Sequence, residues 1–229
     1  MAGDLRKCPL RKLEGHNSRV TSCSWSTEQG LLATGSQDGT VRLWDISQNS
    51  TDLLHTHSCN SEAASMSDGS VGTHLLSPVM WSSRGTLLAA FQNKLINIWT
   101  VRGSQVHVET QPSWVTAMSW VQSSCPFPSQ VASGQANTAE SLLLGRLDGS
   151  LCWLEVSEEG GVGGVKVEST DLSHCQRKEA PQCLSWYSTD RPFAVGYPDG
   201  KILLASTDSF DTEQPILLTA FHVCTASPL

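Results

Sequence analysis

Gly39-Thr40-Val41-Arg42-Leu43-Trp44-Asp45 is a β-prone run that opens on a glycine, and the residues in front of it decide what it does. Leu31-Leu32-Ala33-Thr34-Gly35-Ser36 is a second such run, joined to the first through Gln37-Asp38. Asp38-Gly39 supplies the positive backbone angles that a tight turn between antiparallel strands needs. Leu31, Leu32 and Ala33 before it and Val41, Leu43 and Trp44 after it supply the apolar flanks. A hairpin is therefore predicted. Upstream, Val20-Thr21-Ser22-Cys23-Ser24-Trp25-Ser26 gives a further strand, with Gly15-His16 ahead of it.

The unit recurs. Trp25, Trp81, Trp120 and Trp186 align on the inner strand, and Asp38, Asn93, Asp148 and Asp199 on the following turn, at spacings of 55, 55 and 51 residues. Unit two reads Val79-Met80-Trp81-Ser82, then Leu87 to Phe91, then Leu95-Ile96-Asn97-Ile98-Trp99, with Asn93-Lys94 where Asp-Gly stood. Unit three places Trp153 on the Leu43 position and Leu154 on the Trp44 position; unit four keeps hydrophobicity but puts Ala205 where Trp44 stood. Fourth strands are predicted at 51–57, 105–110, 165–170 and 215–221, and an outer strand at 9–13. The units lie near 9–57, 75–110, 114–170 and 180–221, within 1–222, and 223–229 is read as an unstructured tail.

Gly15-His16, the strand around Trp25, Leu32-Ala33-Thr34-Gly35-Ser36 and Leu43-Trp44-Asp45 together resemble a WD40 repeat, the unit of a β-propeller. Such a unit is usually ~40 to 45 residues long, so the surplus falls in loops. The Ser-, Gly- and Asp-rich stretch 58–73, the stretch 122–140 with Pro126 and Pro128, and Gly160-Gly161-Val162-Gly163-Gly164 have that composition. The implied fold is all-β, a WD40-type propeller of about four blades that forms an incomplete part of a larger, seven-blade-like ring; rings hold ~4 to 8 blades. A closed four-blade ring is the alternative, and it would leave strand edges that propellers cover. A fainter similarity is to the propeller segment of the giant RCC1-like/HECT-domain ubiquitin ligases. Under it the chain would recruit substrate or hold architecture for a catalytic domain outside these 229 residues.

Bulk properties narrow the function. The chain has 229 residues and net charge −7, with no Lys/Arg block, so it offers no evident attraction for nucleic acid or anionic lipid. Apolar runs of a few residues are far short of the ~18 to 20 that span a bilayer. Eight cysteines without CxxC spacing, some on apolar strand positions such as Cys23 and Cys152, read as buried free thiols in a reducing compartment, with the cytoplasm as default.

The resemblance implies a buried structural network of His16, Thr34 (or Ser36), Asp38 and Trp44. The Trp N–H needs an acceptor, His both donates and accepts, and Asp accepts. Ala89, Leu144 and Val195 stand where Thr34 stood, so the later blades are expected to rely on apolar packing, with stability leaning on unit one. The resemblance also implies a protein-binding face built from the loops before the first strand and between the second and third. The positions before the first strand are Arg19, Leu75, Trp114 and Ala180, and Gln37, Gln92, Arg146 and Tyr197 occupy the adjoining loop. Trp and Arg dominate binding hot spots, which favours Trp114 and Arg19; edge packing for Trp114 and a solvated charge for Arg19 are the plain alternatives.

His55-Thr56-His57-Ser58-Cys59 puts three metal-ligand types at alternate positions but lacks a fourth, His174-Cys175 lacks a base and an oxyanion site, and the Gly160 run lacks a following helix. No catalytic residue, metal or cofactor is assigned, and the expected partners are other proteins or peptides, with further blades of a longer chain completing the ring.

Overall fold

The Asp38-Gly39 turn forms as its residues dictate: Gly39 takes φ +77°, its amide donates to the Ser36 carbonyl at 3.1 Å, and Asp38 Oδ1 accepts the Thr40 amide at 2.9 Å. Around it β1 (Val20–Ser26), β2 (Leu31–Ser36), β3 (Thr40–Ile46) and β4 (Thr51–Ser58) pair antiparallel in chain order to make blade I. The computed structural model describes residues 11–46, 51–59, 78–121, 140–159, 164–172, 176–186, 192–206 and 219–222.

Three more sheets repeat the order. Blade II holds β5 (Val79–Trp81), β6 (Leu87–Gln92), β7 (Leu95–Thr100) and β8 (Gln105–Thr110). Blade III holds β9 (Val115–Trp120), β10 (Glu140–Arg146), β11 (Leu151–Glu159) and β12 (Gly164–Asp171). Blade IV holds β13 (Cys183–Trp186), β14 (Pro192–Gly196), β15 (Lys201–Ser206) and β16 (Thr219–His222). No strand forms at 11–13; the first two residues of the predicted outer strand 9–13 lie outside the described residues, as do Leu75, His174-Cys175 and the tail 223–229.

Alternation along each strand sends neighbouring side chains to different junctions. Ala33, Val41 and Leu43 of blade I pack with Val79, Trp81, Leu88, Ala90 and Trp99 of blade II. Ala89, Ile96 and Ile98 turn the other way and pack with Met118, Trp120, Leu142, Leu144 and Leu154 of blade III. Leu143, Leu151 and Trp153 then meet Phe193, Val195 and Trp186 of blade IV. Each hydrophobic core thus lies between two sheets. Polar bonds fix the same junctions: Ser22 and Ser24 Oγ accept the Val79 and Trp81 amides at 3.0 and 3.2 Å, and Trp120 Nε1 donates to the Met80 carbonyl at 2.9 Å.

A rule emerges for the inner-strand tryptophans: each packs on the blade before it. Trp81 and Trp120 are both 5% exposed, and Trp186 sits 5.4 Å edge-on from Trp153 and 5.3 Å from Phe193, with which it stacks. Trp25, with no preceding blade against it among the described residues, is 52% exposed. At the far side Ala194, Ile202 and Leu204 occupy the forward positions that are fully or nearly buried in blades I to III, yet they are only partly buried, and Cys183 and Ser185 beside them are exposed. Among the described residues the fold is an incomplete propeller, open before blade I and after blade IV.

Two readings change. The hairpin of blade II is one residue shorter than that of blade I: Asn93 takes the left-handed conformation, φ +58°, that Gly39, Gly149 and Gly200 take in the others. Trp99 pairs with Leu88 as Trp44 pairs with Leu32, so Ala90 rather than Ala89 stands in register with Thr34. Cys23 faces the open flank and is exposed, whereas Cys59 and Cys152 are buried.

Candidate functional site

In blade I a bifunctional hydroxyl sits between two rings. Trp44 Nε1 donates to Thr34 Oγ1 at 2.9 Å, and Thr34 Oγ1 lies 2.8 Å from His16 Nε2. His16 Nδ1 lies 3.2 Å from Asp38 Oδ2. All these groups are satisfied when the Thr34 hydroxyl donates to Nε2 and the imidazole carries its proton on Nδ1, facing the carboxylate. Thr40, which the sequence reading passed over, adds a hydroxyl that donates to Asp38 Oδ1 at 2.6 Å, and the Asn17 amide donates to Oδ2 at 2.8 Å.

Burial raises the Asp38 pKa, but the Thr40 hydroxyl, the amides of Asn17 and Thr40, and His16 outweigh it and hold the carboxyl well below the ordinary range. The folded pKa lies below the unfolded one, so Asp38 contributes stability that is complete above the unfolded carboxylate value of about 4 and is lost as pH falls below it. Asp38→Asn is accordingly expected to flatten the acid limb of a stability–pH profile below about pH 4, read from urea melts at stepped pH; an unchanged acid limb would contradict this role.

The loops at the turn end of the blades carry a second arrangement. The Gln37 amide donates to the Arg19 carbonyl at 2.9 Å in blade I, and the Leu147 amide donates to the Trp114 carbonyl at 2.7 Å in the equivalent place of blade III. Arg19 is exposed and Gln37 partly buried. Trp114 is 37% exposed and Leu147 53% exposed, so the bond holds two large apolar residues side by side at a surface.

Comparison with known proteins agrees with this geometry. Residues 7–45, which hold His16, Thr34, Asp38 and Trp44, match the family described as WD domain, G-beta repeat. The chain carries a WD40 repeat. It is 35% identical over 101 residues to the WD40 repeat-containing protein HOS15 of Arabidopsis thaliana, covering 42% of this chain and 16% of that protein. Over 97 residues it is 35% identical to human F-box-like/WD repeat-containing protein TBL1Y, covering 40% and 18%. It therefore spans under a fifth of these relatives' length. In fold it is similar to a chain of the crystal structure titled mitotic checkpoint complex, with TM-score 0.60, 19% identity, and coverage of 94% of this chain and 55% of that one.

The WD40 blades separate the predicted face residues into two groups. Gln92, Arg146 and Tyr197 are not loop residues at the surface: they take the register of Ser36, at or just past the end of the second strand, and are 6%, 4% and 5% exposed. That position points into the blade, which is why it is Leu147, the true equivalent of Gln37, that reaches solvent. Arg146 instead ties blade III to the linker from blade II. Its Nε and Nη2 donate to Gln111 Oε1 at 3.0 and 2.6 Å, and its Nη1 donates to Asp171 Oδ1 at 2.6 Å. Tyr197 is covered by the Arg177 guanidinium, 4.4 Å from its ring centre.

Blade III therefore has a polar network of its own, contrary to the expectation of apolar packing alone. Ser150 Oγ donates to Asp148 at 2.6 Å, repeating the Thr40–Asp38 bond, and Thr86 of blade II donates to buried Glu140 at 2.7 Å. The signal was present in sequence as Asp148-Gly149-Ser150, but nothing marked Gln111 as the acceptor.

His55, His57 and Cys59 do not make a ligand set. His57 stacks on Trp99 with ring centres 4.9 Å apart, and its pKa is lowered by burial and then by His55. Burial pushes the Cys59 thiol up to about 12, so it is held protonated. At the other end of the inner strands a cavity of about 280 Å³ is lined by Met80, Trp81, Trp120, Leu184 and Trp186 with serine hydroxyls, and no acid or base lines it. Among the described residues no helix is long and apolar enough to cross a membrane.

Proposed function

We propose that this chain is a non-catalytic platform that holds protein or peptide partners on the turn end of its WD40 blades, with further blades completing the ring. The observation that carries this reading is the exposed Trp114–Leu147 pair, pinned by the backbone bond between them. A tryptophan held rigidly beside a leucine presents apolar area with little ordering cost on binding, which is the make-up of a hot spot. Arg19 and Gln37, at the equivalent place of blade I, add a charge and an amide. The net charge of −7 favours a protein partner over nucleic acid, and the free thiols of Cys23, Cys59, Cys152 and Cys183 suit a reducing, cytoplasmic setting. A role inside a ubiquitin ligase has no observation in its favour.

The test is selection of displayed peptides on the intact chain, followed by binding to variants. Trp114→Ala is expected to weaken selected peptides by about tenfold or more, and Arg19→Glu to weaken them less, with circular dichroism unchanged. Selected peptides that bind both variants as tightly as the parent would rule out this face.

A further inference from the structure

We infer that the partner held at the turn end of blade III is an acidic peptide, with an apolar side chain seated on Trp114 and Leu147 and an aspartate or glutamate on either side of it meeting Lys94 and Lys178. This rests on the turn-end reading above and names the chemistry of what binds there. Trp114 and Leu147 are 37% and 53% exposed, and exposed Pro112 extends the apolar area along the linker from blade II. An ammonium group stands on each side of this patch. Lys94, in the turn of blade II, donates from Nζ to the Pro112 carbonyl at 3.0 Å, which brings its charge beside the linker that carries Trp114. On the other side the linker into blade IV crosses the blade III turn. The Arg177 amide donates to the Gly149 carbonyl at 3.2 Å, so exposed Lys178 follows beside the turn that carries Leu147.

The neighbouring charges are committed, and these two are not. Arg177 pairs with Asp199 at 3.4 Å and Glu179 at 3.7 Å, Lys201 with Asp199 at 2.8 Å, and Arg146 with Asp171 at 2.6 Å. Asp148, the carboxylate next to Leu147, accepts the Ser150 hydroxyl at 2.6 Å and the Ser150 amide at 3.0 Å. Lys94 and Lys178 have no carboxylate partner among the described residues. An apolar patch between two unpaired cations is complementary to an apolar residue between two anions. Carboxylate fits better than phosphate here. Arg146 and Arg177, whose forked guanidinium groups would suit phosphate, are already engaged, and an ammonium group is a point charge.

The experiment takes from a displayed random library a peptide whose binding is lost on Trp114→Ala, and measures it on the intact chain by fluorescence anisotropy. Beside it is measured an analogue with each Asp and Glu changed to Asn and Gln. Acidic residues are expected on both sides of the apolar anchor. The neutral analogue is expected to bind about tenfold more weakly, and Lys94→Glu and Lys178→Glu are each expected to weaken the acidic peptide by about fivefold, with circular dichroism unchanged. An analogue carrying Lys in place of each acid is expected to bind the double variant more tightly than the parent. A Trp114-dependent peptide with no acidic flank, or an acidic one that binds both lysine variants as tightly as the parent, overturns the inference and leaves the turn-end face standing. A phosphoserine analogue that binds much more tightly than the carboxylate peptide assigns the two ammonium groups to phosphate and overturns it as well. A library that yields no Trp114-dependent peptide removes the face and the inference with it.

Discussion

Replacing Arg146 by Met should lower the unfolding free energy by about 1–3 kcal/mol, the usual loss when a buried acceptor is left without its donor. The guanidinium makes two bonds to Gln111 Oε1, and Gln111 is 2% exposed, so the variant leaves a buried carbonyl with no donor in reach. The bond to Asp171 is a smaller part, because that carboxylate's side chain is 65% exposed and water screens it. Urea melts can separate the parts. Asp171→Asn is expected to cost under about 1 kcal/mol, and adding Gln111→Leu to Arg146→Met should recover part of the loss, since an apolar pair leaves no orphaned acceptor. A loss under 1 kcal/mol for Arg146→Met would mean that the linker from blade II moves freely without it.

Thr34→Val is expected to destabilise by about 2–4 kcal/mol, although it changes neither shape nor volume, because it strands two buried ring nitrogens together. One hydroxyl serves both Trp44 Nε1 and His16 Nε2, so its loss strips both nitrogens of the same partner. Trp44→Phe removes the donor and leaves the His16 bond intact, so its polar loss is smaller. The double variant should cost less than the two singles added, since both act on one shared oxygen. Strict additivity in thermal or urea melts would show that the rings hold their places without the hydroxyl.

The reach of the sequence can be followed residue by residue. The Asp38-Gly39 hairpin and the network residues could be read because each depends on local chemistry: a turn needs Gly, and a buried indole needs an acceptor. The fourth strand at 105–110 was legible for the same reason, and it forms over Gln105–Thr110. What escaped reading depended on register. Dropping one residue from the second hairpin keeps the strand pairing but shortens the count back from the turn by one, so counting from Asn93 as from Asp38 lands on Ala89 where the pairing puts Ala90, and no residue type announces it. Gln92, Arg146 and Tyr197 look like loop residues from spacing because a turn follows them, but the strand's alternation buries them. Leu147 was missed because an apolar residue in a turn reads as incidental until its exposure is known. The Arg146–Gln111 bond joins residues 35 apart, one on a strand of blade III and the other in the linker after blade II, a pairing that no local pattern encodes.

The placing of each oily cluster between sheets has a consequence for how the molecule comes apart. A single sheet peeled from the row keeps its ladder of backbone bonds but carries away only half of any cluster, so no sheet has an interior to itself. The least piece that can retain a native interior is two neighbouring sheets, such as those spanning Val20 to Thr110, and melting should spread from sheet to sheet instead of stopping at a loop.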